Sequence, residues 1–183
     1  MTRSFTLEKE SKDMFRVGEI LRYGQAGVCR VEEIKMMDAG GGEQEYFVLK
    51  PLFKNGAMLF VPSSNEGLVG RMCPLLTPEE IEAIQAEISR RPAEWIRDFR
   101  RRSEAFKKAL ASSDRRDALF LMKCIYAHKR KLRAEGKGIH TTDDYFLKDA
   151  EQLIFSEFSM VLEKSVSLVE KEIRSLLGEE SSL

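Results

Sequence analysis

Trp95, the only Trp of the chain, stands in the stretch Glu94-Trp95-Ile96-Arg97-Asp98-Phe99-Arg100-Arg101-Arg102. A large flat apolar ring beside several guanidinium groups suits contact with nucleic acid. Cations meet phosphates there, and an apolar wedge meets bases. The same ring has a plainer reading. Trp95, Phe99, Phe106 and Leu110 recur at helical spacing, and aromatic stripes of that period usually face a core. Charge adds weight to the first reading. Residues 90–133 hold 15 Lys and Arg against 5 Asp and Glu, whereas residues 140–183 hold 4 against 10, in a chain of zero formal net charge. A cationic block between acidic flanks implies an anionic partner, unless the acidic C-terminal helices pack beside it and neutralise it.

Other chemistries find little support. No Walker, dinucleotide-binding or H-E-x-x-H pattern occurs. Gly40-Gly41-Gly42 lies between two expected strands and opens no helix, so it makes a poor phosphate cradle. His128 and His140 are twelve residues apart with no evident carboxylate orienter, and His140 fits a helix start better than a metal. Asp143-Asp144 reads as a first-turn charge pair. With no nucleophile–base constellation, no enzyme activity, cofactor, metal or small-molecule substrate is expected. Cys29, Cys73 and Cys124 have no metal spacing and read as reduced thiols of a cytoplasmic protein. There is neither an apolar run long enough to span a membrane nor a signal peptide.

The elements that must position these residues come in two runs. Residues 1–13 lack hydrophobic periodicity and are expected to be a disordered lead-in. From Phe15 the pattern is short strands between turns: Val17–Tyr23, Val28–Ile34 extending to Met37, Glu45–Lys50, Ala57–Val61 after an Asn55-Gly56 hairpin signal, and a fifth near Val69–Cys73. Five such strands predict a small SH3-like or Tudor-like barrel. Thr77-Pro78-Glu79-Glu80 then starts a helix with a capping box. A helix around Trp95 follows the Arg91-Pro92 break, with a shorter one at 103–110. A long helix runs from Asp114 to about Glu135, one starts near Thr141, and a last spans Ser165–Leu177. Segregated strands and helices predict an α+β chain, with a barrel domain at 14–75 and a helical domain at 76–183.

The order of motifs resembles a family. Phe15-x-Val17-Gly18-Glu19-x-Leu21-x-Tyr23-Gly24, Gly27-Val28-x-x-Val31-x-x-Ile34, Glu45–Lys50 and Phe60-Val61-Pro62 are similar to the N-terminal module of CarD/CdnL-type bacterial transcription regulators. That module is itself similar to the polymerase-interacting domain of transcription-repair coupling factors. Trp95 with its basic follower, Ser113-Asp114-Arg115-Arg116, the long basic helix and the closing helices match the rest. The resemblance implies that the barrel binds the β subunit of RNA polymerase along an exposed strand edge, at Lys35, Met36, Met37 and Phe60. It implies that the helical domain lies on promoter DNA at the upstream edge of the melted bubble, in the nucleoid. Carried over, Trp95 is the wedge and Arg97 its basic neighbour, with Arg100, Arg101, Lys123, Lys129 and Arg130 as further DNA contacts. Asp98 stands near Trp95 where the family can carry a basic residue, and Phe60 and Met36-Met37 stand likewise in the sheet module, which implies a more apolar polymerase contact or none. The competing expectation is a protein-interaction adaptor with Trp95 in its core and no DNA contact.

Overall fold

The computed structural model describes residues 15–38 and 40–179, so the expected lead-in lies outside the described residues. The chain divides into two compact units between Leu75 and Leu76. The first is an antiparallel sheet of β1 (Ile20–Tyr23), β2 (Gly27–Asp38), β3 (Glu43–Pro51), β4 (Leu59–Pro62) and β5 (Met72–Pro74), with helix α1 (Glu66–Val69) before β5. The strand order is β4-β3-β2-β1-β5. β4 and β5 therefore end the sheet, and the expected barrel is not closed. Leu21, Val31, Phe47, Leu49 and Val61 fill its core with Phe15.

Local signals explain most of these elements. Gly24 and Gly27 take positive φ values of 44° and 77° at the turn between β1 and β2, a backbone region that side chains resist. The Asn55-Gly56 pair does not make a tight hairpin. Its strand starts two residues later than expected, at Leu59, and a loop after Pro51, the last residue of β3, separates the two strands. Asn65, capping Leu68 N–H, starts the unforeseen helix α1.

The second unit packs five helices among the described residues: α2 (Pro78–Arg90), α3 (Phe99–Ala111), α4 (Arg115–Ala134), α5 (Thr141–Val161) and α6 (Val166–Leu176). Thr77 and Glu80 form the predicted capping box, and Ile81, Ile84 and Ile88 are buried from α2. His140 caps α5, its Nδ1 accepting from Thr142 N–H at 3.2 Å. Trp95 is not helical. Residues 92–97 take no regular secondary structure, and one helix begins at Phe99 where Asp98 caps it, replacing the two expected between 93 and 110. Arg91 before Pro92 adopts φ −70°, ψ 126°, as the clash with a following proline ring dictates, and the helix cannot resume at once.

Two buried ion pairs tie α5 to its neighbours. Arg102 of α3 meets Asp143, and Arg115 at the start of α4 meets Glu157. Glu157 also accepts from Leu76 N–H at 3.2 Å. A carboxylate removed from water needs such a full set of donors, or it costs several kcal/mol.

Candidate functional site

The irregular segment 92–97 places Trp95 half-buried at the edge of the helical core. The His128 ring stacks on it at 3.7 Å with a 12° interplanar angle, so one indole face is covered. Phe106 meets it edge-on at 6.2 Å, and the Arg102 guanidinium carbon lies 4.6 Å from the ring centre. The ring also borders a cavity of about 560 Å³, lined by Glu94, Trp95, Arg97, Cys124, His128 and Lys131, among others. Burial, and then the charge of Arg102, hold the His128 pKa below its ordinary value, which favours a neutral imidazole against the indole. Burial pushes the Cys124 thiol up, while the N–H of Glu94, 3.4 Å from Sγ, opposes that. A buried thiol so placed is a packing group, not a nucleophile.

The basic residues divide into two sets. Arg97, Arg100 and Arg101 are exposed, and their side chains have no ion-pair partner among the described residues. Lys107 and Lys108 continue the exposed face of α3. The other three are engaged within the unit, with Lys123 and Lys129 half-buried and Arg130 still exposed. Lys123 Nζ donates to Ile88 O and Ser89 O, both at 2.8 Å, and so closes the C-terminus of α2. Arg130 donates to Gly178 O and Leu177 O at the end of α6. Lys129 is half-buried, 3.9 Å from Glu179. Terminal helix carbonyls carry partial negative charge, and they attract these cations inward.

In the sheet, β1 pairs with β2 only as far as Arg30, with Val31 continuing that contact through Glu19 and Gly18. Beyond the irregularity at Val31–Glu33, residues 33–38 of β2 pair only with β3. β2 lies inside the strand order, yet its last half presents an open edge among the described residues. Lys35, Met36 and Met37 stand on it. Met36 is 58% exposed and Phe60 on β4 is 47% exposed. The Lys35 ammonium sits 5.7 Å from the Phe60 ring centre, so these two share a face over the buried Val48 and Tyr46. An open backbone edge beside exposed apolar side chains is suited to adding a strand from another chain.

Residues 15–73 match the family model of the CarD-like/TRCF RID domain. The sheet unit is a CarD-like RNA-polymerase-interacting domain. No curated protein matches the chain. The CarD-like domain marks the chain as a transcription-related protein that interacts with RNA polymerase. The match ends before the helical unit, so Trp95 and its cations stand on their own geometry. Among the described residues, no helix is long and apolar enough to cross a membrane.

Four residues around Trp95 escaped the sequence reading: Arg102, His128, Lys131 and Asp143. One signal was available. Arg102 precedes Phe106 and Leu110 at four-residue steps, so a charge sits on the apolar stripe of α3. A cation at a core position implies a buried acidic partner. Asp143 carried no comparable mark, because a helix's first turn already accounts for an acidic residue.

Proposed function

We propose that the CarD-like domain docks on the polymerase β subunit through the open edge of β2. The helical unit then rests on promoter DNA at the upstream edge of the bubble and stabilises the open complex. Lys35, Met36, Met37 and Phe60 form the polymerase contact, Trp95 supplies the wedge, and Arg97, Arg100 and Arg101 hold phosphates. The observation that carries the reading is the pose of Trp95: the ring is stacked on His128 and borders a cavity that the exposed Arg97 also lines. A braced ring offers an apolar edge to a base step, and a nearby cation offsets the adjacent phosphate charge. Docking on polymerase raises the local concentration of the wedge, so a weak DNA contact suffices. No bond is made or broken in this reading, and the protein acts as a binding factor in the nucleoid.

Lys123, Lys129 and Arg130 drop out of the DNA surface in this account, since their charges close helix ends or meet Glu179. The same inward engagement favours a second reading, an adaptor with no DNA contact. Promoter opening by polymerase separates the two. With Trp95→Ala, the first reading expects a loss of about 1–3 kcal/mol of open-complex stabilisation, the range for one base–aromatic contact. Unchanged opening leaves only the adaptor.

A further inference from the structure

We propose that Arg102 and Asp143 are positioning residues that set the pose of Trp95 toward DNA, an inference that rests on the DNA-contact reading above. Arg102 Nε and Nη2 donate to the two Asp143 carboxylate oxygens at 2.9 and 3.0 Å. Its Nη1 donates to Ile96 O at 2.9 Å and Arg97 O at 3.1 Å. Both side chains are almost fully buried, at 7% and 2% exposure. Ile96 and Arg97 belong to the irregular segment 92–97, whose backbone lacks the bonding of a helix or strand. The planar fork of one guanidinium replaces that bonding, and its cationic carbon also lies 4.6 Å from the Trp95 ring centre. Asp143 fixes the fork from α5. The segment that carries the ring is thus held at its carbonyls, while His128 of α4 holds the ring itself.

The consequence for function is mechanical. A side chain that parts stacked bases works only if its own support does not yield, and preorganised support removes the ordering cost at binding. The pair's other effect, joining α3 to α5, is one that apolar side chains of similar size can also provide. Such replacements cannot hold the two carbonyls. Glue and positioning therefore separate experimentally.

The test uses the full chain carrying Arg102→Met with Asp143→Leu, and separately Arg102→Lys. Trp95 is the only Trp, so its emission and acrylamide quenching report its pose directly. Circular dichroism establishes that the helices are intact. Both variants are expected to keep their helices, shift Trp95 emission to the red and quench faster. Each is expected to bind a bubble-containing duplex about tenfold more weakly at fixed salt, equivalent to about 1.4 kcal/mol. Arg102→Lys retains the charge and should still fail, because one ammonium cannot serve a carboxylate and two carbonyls together. Should the double variant not fold, Arg102→Lys alone decides the matter. Folded variants with unaltered emission and quenching overturn the proposal, as does altered emission with unaltered DNA affinity. If Trp95→Ala itself binds the duplex like the parent chain, the DNA reading fails, while the emission data still decide whether Arg102 holds the segment.

Discussion

Glu157 and His128 show how single side chains in this protein tie charge to packing. Glu157 is fully buried and accepts three short bonds from Arg115 Nε and Nη2 and one from Leu76 N–H. Replacing it with Gln leaves the Arg115 charge in the interior with a weakened partner, so Glu157→Gln should destabilise the helical unit by about 3–5 kcal/mol. Urea unfolding followed at helical wavelengths measures this. His128 makes a pH prediction. Its folded-state pKa lies below the ordinary value near 6.5, so the unfolded chain binds more protons across that range. The stability it permits is fully present above about pH 6.5 and falls as pH drops through the two pKa values. Protonation would also place a cation beside Arg102. His128→Gln should flatten the stability profile between about pH 7 and 5.5 relative to the parent chain. A parallel loss of stability in both would assign the effect elsewhere.

At the scale of elements, the caps were legible and the connection was not. Thr77, Asp114 and Ser165 each sit where a short polar side chain precedes an apolar period, and each caps its helix. Thr77→Ala should cost about 1 kcal/mol, the usual worth of an N-cap, with the capping box lost in the same step. The Trp95 segment misled because its residues fit a helical period, although no helix forms before Asp98 caps α3. Arg91-Pro92 signalled a break, but only Asp98 as a cap fixes where the helix restarts. The basic helix misled for another reason. Periodicity places Lys123 and Arg130 at the surface, but it is blind to the carbonyls at the ends of α2 and α6 that bind their charges. In the sheet, the edge at Met36 and Met37 follows from a mismatch of strand lengths, four residues in β1 against twelve in β2. The sequence pattern starts that strand at Val17, three residues before Ile20, and so hides part of the mismatch. The open edge should be separable from stability. Met36→Ala with Phe60→Ala should weaken polymerase binding by about 1–3 kcal/mol, the scale of a contact hot spot. The thermal midpoint of the chain should hardly move, because both side chains are largely exposed.

For the whole molecule, a formal net charge of zero conceals a division of labour. Part of the basic block is consumed internally, by Asp143, Glu157, Glu179 and helix ends. Among the described residues, the exposed cations without an ion-pair partner include the group around Arg97 and the outer face of α3. If Arg97, Arg100 and Arg101 are the phosphate contacts, the logarithm of DNA affinity should fall with the logarithm of salt at a slope of about −3, near 0.9 per contact. Lys123→Met should leave that slope unchanged, and Arg97→Ala should reduce it by about one.

The most direct measurement is the lifetime of the open promoter complex formed by RNA polymerase with the full chain, compared with Trp95→Ala. The account predicts that the variant co-purifies with polymerase as well as the parent chain does, through its intact CarD-like domain, but no longer prolongs the open complex. An equal lifetime with both proteins would contradict it.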